Sequence, residues 1–340
     1  MLELFETRTM IEALEQMLPP SSFLKRNFFS RVRQFDSEHI DIDIVKGKRR
    51  LGAYVNPKAE GKLVDRIGFK SHSYKPPYVK MKMTTTAQDF LKKQAGQTVY
   101  TPSQSAMARA EQQLGQDLAE LDQMITRMEE KQAADLLSTG ILAITGEGVD
   151  LTIDFLMPAS HKITLAGGDL WSAGTSNPLQ DLREWRRLVR KDSGLVPTDV
   201  IMGESALDAF LANTAVTDQL DNRRIDLGNI DPQTLPEGAI LYGRIKDVNV
   251  TLWSYDEWYL DESGTEQPMI DPKEVLMVTR NARTSTNYGA IEDVEANASV
   301  ARFAKSWTTK DPSARWLLVQ SAPMLALHQS DAFLKAQVLA

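Results

Sequence analysis

Four histidines, His39, His72, His161 and His328, are the side chains whose ordinary charge change falls near neutral pH. Paired with one another or with carboxylates at helical spacing they would hold zinc or pass protons. They are scattered, none has such a companion, and each is read as a structural or surface histidine. Ser22-Phe23-Leu24-Lys25 has the S-x-x-K spacing in which a lysine activates a serine, but the companion motifs are missing and the match is read as chance. Asp150 and Asp154 share one face of an alternating segment and would suit a cation, although solvated strand residues explain them as well. Trp253 and Trp258 would stack a planar ring, although aromatic strand residues more often pack on a core. There is no G-x-G-x-x-G, P-loop, H-E-x-x-H or G-x-S-x-G. With no cysteine, thiolate chemistry and disulfides are excluded. The residues therefore assign no catalytic, cofactor or metal site, and no enzyme activity is expected.

Charge is more informative than chemistry. The 340-residue chain carries a net −7, yet residues 46–93 hold 13 Lys or Arg against three Asp or Glu. A basic segment on an acidic body implies attraction between the two, within one molecule or between copies. A solvated loop is the plainer alternative. Nucleic-acid binding is disfavoured by the acidic remainder and the lack of a reading motif. The N-terminal segment Met1–Leu18 is amphipathic and acidic, unlike a signal peptide, and no apolar run approaches the roughly 20 residues of a membrane helix. Sequons at Asn249 and Asn297 are accordingly read as chance, and a cytoplasmic origin fits.

The elements that position these residues form a sequence of contrasts. An N-terminal arm breaks at Pro19-Pro20 and continues into Phe23, Leu24, Phe28 and Phe29, apolar residues that need a partner surface. His39–Val45 alternates with period two, and residues 39–84 read as a long hairpin returning through Tyr74–Met83. Thr101-Pro102-Ser103-Gln104 opens a helix over 102–138, roughly 54 Å long. Its apolar stripe is Met107, Ala110, Leu114, Leu118, Leu121, Ile125, Met128 and Leu136, with a gap near Lys131-Gln132, and Gly140 suits the stop. Ile141–Ile144 and Val149–Phe155 predict a hairpin. The block 180–285 alternates helix and strand like an α/β module, and strands return at 295–304 and 316–325.

In this order the stretches resemble the major capsid proteins of lambda-type tailed phages. The match is strongest at Ser306–Arg315, Val319–Met324 and Gln337–Ala340. Phe23–Phe29, Gly52–Pro57, Asn281-Ala282-Arg283 and Tyr288-Gly289 also carry it. The resemblance implies an α+β, Hong Kong 97-type phage capsid fold. Its parts would be an N-terminal arm (1–38), an extended loop called the E-loop (39–95), a peripheral domain (96–179) containing the spine helix (102–138), an axial domain (180–285), and a peripheral return with the C-terminus (286–340).

The implied function is a structural head protein that self-assembles into hexamers and pentamers of an icosahedral shell around double-stranded DNA. Its implied places are the virion capsid and, during assembly, the host cytoplasm. Partners would be other copies of the chain, a separate scaffolding protein (the arm and loop begin at once, with no scaffolding domain ahead), a head decoration protein, a portal at one vertex and DNA held without sequence-specific contacts. No cofactor and no membrane partner are expected. Phe23, Phe28 and Phe29 are candidate subunit contacts, and Arg49, Arg50, Lys58 and Lys62 would dock the loop on a neighbour's acidic surface. Two other readings stay open: a nonviral nanocompartment shell of the same fold, and an α/β enzyme using 180–285.

Overall fold

A helix from Ala106 to Thr139 extends about 51 Å at 1.5 Å per residue. The computed structural model describes residues 6–16, 22–45, 51–52, 54–58, 60, 63, 69–86, 106–146, 148–220, 230–234, 238–261, 263–296, 300–311 and 313–340. The expected helix start at 101–105 lies outside these residues. Leu114, Leu118, Leu121 and Ile125 are buried as the stripe predicts, and they pack with Met10 and Leu14 of the N-terminal helix Thr7–Gln16. Ala304, Leu317 and Val319, from two antiparallel strands, complete that cluster. Met128 departs from the stripe and is 45% exposed. The buried face there passes through Glu129, Gln132 and Ala133 instead.

Gly140 stops the helix with φ +67°, its N–H bonded to the Leu136 carbonyl at 2.9 Å. The next two strands, Ile141–Gly146 and Val149–Asp154, form the predicted antiparallel hairpin. A side chain at Gly140 would place its Cβ 2.5 Å from Cβ of Met157. Gly140→Ala is therefore expected to combine left-handed backbone strain of about 1–2 kcal/mol with a packing cost of similar size. A fall in urea midpoint corresponding to at least about 2 kcal/mol would register it, and an unchanged midpoint would refute it.

The alternating run Ile40–Val45 pairs with Phe69–Tyr74, Ile40 opposite Tyr74. Ile40, Ile42 and Ile44 are buried in the main core while Asp41 and Asp43 face solvent. The return strand thus ends at Tyr74, earlier than the sequence reading placed it. Lys75-Pro76-Pro77-Tyr78 separates it from Val79–Thr86, which pairs antiparallel with Ala314–Ser321 in the body. Consecutive prolines cannot donate to a ladder, so the two runs join different sheets.

Helix Pro178–Ser193 is capped as proline at its first position suggests, the Asn177 side chain accepting from the Gln180 N–H. It packs with helix Glu204–Ala212 through Leu182, Trp185, Val189, Leu207 and Phe210 on a seven-stranded sheet. The strand order is Lys162–Thr164, Leu334–Gln337, Glu274–Val278, Asp199–Met202, Val250–Tyr255, Ala239–Ile245 and Ile230–Thr234. The sheet takes in two strands, Lys162–Thr164 and Leu334–Gln337, from outside the 180–285 block. A three-stranded sheet of Val32–Gln34, Thr284–Tyr288 and Pro323–Leu327 sits over the long helix.

Candidate assembly surface

Two kinds of site emerge: a buried ionic cluster that fixes the arm to the long helix, and an exposed loop beyond the hairpin. The cluster begins with Glu129 and Glu130, which are 0% and 3% exposed. Oε1 of Glu130 accepts the Leu24 N–H at 2.6 Å and the Tyr255 hydroxyl at 2.8 Å, and Oε2 accepts the Lys25 N–H at 2.9 Å. These amides open the short helix Phe23–Phe28, whose own cap residue, Ser22, makes no side-chain capping bond. A carboxylate from 105 residues away along the chain therefore satisfies the helix N-terminus and opposes its positive dipole end. Burial pushes the Glu130 carboxyl up despite these bonds.

Glu129 meets Arg302 in a two-pronged pair, with NH1 at 2.8 Å from Oε1 and NH2 at 2.9 Å from Oε2. Lys25 Nζ lies 2.5 Å from Oε2, and Arg302 Nε donates to Asp122 at 2.7 Å. Burial alone would raise the Glu129 carboxyl, but Arg302 and Lys25 outweigh it and hold it below the usual carboxylate range. The Arg302 guanidinium also sits 5.8 Å from the Tyr288 ring centroid. Arm, long helix and C-terminal strands are joined here by charge-assisted bonds.

The arm phenylalanines find their partner within the same chain. Phe23 stacks on Tyr255 at 5.5 Å and lies 5.0 Å from Trp253, and Phe28 meets Phe23 edge to face. Thr284 and Thr286 hydroxyls donate to the Phe28 and Phe29 carbonyls. All three rings are at most 2% exposed, which corrects the expectation that they reach a neighbour: no surface is left for one. Trp253 is likewise core, donating to Asp199, whereas Trp258 is 44% exposed. Asp150 and Asp154 lie on the solvent face of their strand.

The histidines separate by role. His39 and His72 are exposed, while His161 is fully buried between the Phe333 carbonyl and Asp192. His328 ties the hairpin base to the body. Its Nδ1 donates to the Asp43 carbonyl at 2.8 Å, leaving Nε2 of the neutral ring to face Ser285 Oγ at 2.8 Å. Burial and, secondarily, Arg33 and Arg31 lower its pKa from 6.5, against the bond to Asp43. A depressed histidine favours folding fully above its unfolded value and loses that contribution as pH falls through the folded one. Stability is therefore expected to decline below about pH 6.5, and His328→Gln to flatten that slope. Identical urea midpoints at pH 5 and 7.5, in both proteins, would contradict this.

Beyond the hairpin, the described loop residues lie open. Leu51 is 99% exposed, Leu63 92%, and Tyr54 is fully exposed, with Val55 and Lys58 beside them. Arg49, Arg50 and Lys62 lie outside the described residues. Sequence reasoning noted the charge of this loop but not Leu51, Tyr54 and Leu63, and it missed Glu129 and Glu130. Their signal was the gap in the helix stripe, where two adjacent carboxylates stood in place of apolar residues.

The model of the phage major capsid protein E family matches residues 6–338. The chain is 27% identical over 349 residues to the major capsid protein of Enterobacteria phage P21, spanning 98% of this chain and 99% of that one. It is 26% identical to the major capsid protein of Escherichia phage lambda, spanning 99% and 100%. Among solved structures it resembles a prophage capsid protein from Escherichia coli CFT073, with a TM-score of 0.77 and 19% identity over 98% of this chain and 99% of that one. It also resembles the capsid of Ralstonia phage GP4, with a TM-score of 0.55 and 11% identity over 96% and 93%.

Proposed function

The chain belongs to the phage major capsid protein E family, and from that premise we propose that it closes an icosahedral shell of hexamers and pentamers around packaged double-stranded DNA. Its α+β fold is that of the Hong Kong 97-type phage capsid proteins. Its place is the virion capsid, reached after assembly in the host cytoplasm. Leu51, Tyr54 and Leu63, bare beside Lys58, carry the reading, because among the described residues of the subunit none covers them. In a shell the loop lies on the adjacent copy. The apolar residues are buried there, and Arg49, Arg50, Lys58 and Lys62 meet acidic surface. Burial of each large side chain contributes about 1.5–3 kcal/mol, and such weak contacts repeated around closed rings suffice.

In this reading the parts divide as arm, 1–38; E-loop, 39–95; peripheral domain, 96–179 and 286–340; and axial domain, 180–285. Scaffolding protein, decoration protein, portal and DNA are its partners, and the chain performs no catalysis. Velocity sedimentation of the concentrated protein, alone and with its scaffolding partner, tests the proposal. Rapidly sedimenting hollow particles in either sample are expected, whereas folded monomer in both would count against it.

A further inference from the structure

Helix Pro178–Ser193 carries Arg183, Arg186, Arg187 and Arg190 at i, i+3, i+4 and i+7, a spacing that gathers four guanidinium groups on one face. With Asp247, from the turn between strands Ala239–Ile245 and Val250–Tyr255, they line an open cleft of about 520 Å³. Asp247 Oδ2 accepts from Nε of Arg183 at 2.7 Å and also from NH2 of the same residue. Arg190 stands in the last helical turn, where a cation suits the dipole. Neither fact accounts for Arg186 and Arg187.

The helix's own carboxylates turn elsewhere, Glu184 to Gln180 at 3.0 Å, Asp181 to the Trp171 indole at 2.9 Å and Asp192 to His161 at 3.0 Å. Nε of Arg186 is buried and has no acceptor among the described residues. A buried donor left without an acceptor is rare in a folded chain, and an anion in the cleft is one way to complete the bonding of this arginine. Among the described residues the cleft is lined by four arginines and one carboxylate, the latter paired to Arg183, so Arg186 and Arg187 set the sign of that ligand.

We propose that this cleft binds a multiply charged phosphate oxyanion, gripped by the forked donors of Arg186 and Arg187. Guanidinium forks match phosphate oxygens two at a time. One polyphosphate neutralises several arginines at once, whereas a protein carboxylate brings a single charge each, and the cleft admits more than one phosphoryl group. Free polyphosphate and the backbone of a single-stranded nucleic acid share this chemistry.

Thermal unfolding of the whole chain with sodium tripolyphosphate, against sodium chloride at equal ionic strength, tests the site. Tripolyphosphate is expected to raise Tm, and Arg187→Gln to weaken its apparent affinity about tenfold or more. Arg187 is exposed, so this variant keeps the test valid if Arg186→Gln lowers stability. A labelled oligothymidylate that binds the native chain, is displaced by tripolyphosphate and is lost in the variant identifies nucleic acid as a source. An oligonucleotide that fails to bind, with the tripolyphosphate effect intact, identifies free phosphate. No shift beyond chloride, the same shift in the variants, or tighter binding of polyglutamate than of tripolyphosphate overturns the proposal.

Discussion

Replacing Arg302 by leucine is expected to destabilise the subunit by about 3–5 kcal/mol, because it strands a buried carboxylate. Glu129 is wholly buried and loses both prongs of its pair, 2.8 and 2.9 Å, with only Lys25 among the described residues left beside it. Asp122 loses its partner at the same time. Urea unfolding of the monomer measures the cost. The double replacement Glu129→Leu, Arg302→Leu removes both charges and is expected to cost less than the sum of the two single changes by about 1.5 kcal/mol or more. An Arg302→Leu variant within about 1 kcal/mol of the native chain would mean that the cluster is incidental to stability. The same cluster anchors the arm through Lys25, so limited proteolysis of Arg302→Leu is expected to cut near residues 22–30 sooner than in the native chain.

Shell formation is expected to fail when Arg49, Arg50, Lys58 and Lys62 are all changed to glutamate. An exposed ion pair contributes up to about 1 kcal/mol, and reversal turns attraction into repulsion. Four such changes weaken each loop contact by about 4 kcal/mol, roughly a thousandfold. Lys58 is exposed and, among the described residues, tied only through its backbone N–H to Asn56, so its change leaves the monomer intact. Unfolding of the variant within about 0.5 kcal/mol of the native chain, together with loss of particles in sedimentation, is the expected pair of results. Particles of normal size and yield would remove the loop charges from the account. Rising salt is expected to slow native assembly in the same direction.

Periodicity made much of the frame legible before any coordinates. Alternation at Ile40–Val45 and the three-and-four spacing of Leu114–Ile125 each state a local preference that the fold keeps. What failed to show depended on distant partners. Lys25 and Arg302 are 104 and 173 residues from Glu129, and nothing local marks two glutamates in a helix as buried rather than solvated. The phenylalanines of the arm were correctly read as needing a surface, but Trp253 and Tyr255 supply it from the middle of the chain. Val79–Thr86 has the same extended character as Phe69–Tyr74, so pattern alone did not assign it to Ala314–Ser321.

The most direct measurement is a cryo-electron microscopy reconstruction of assembled particles at a resolution that traces the chain. Residues 51–63 are predicted to lie across the adjacent subunit, with Leu51, Tyr54 and Leu63 covered and Lys58 near carboxylates. Shells in which this loop folds back on its own subunit, or projects free into solvent, would contradict that account.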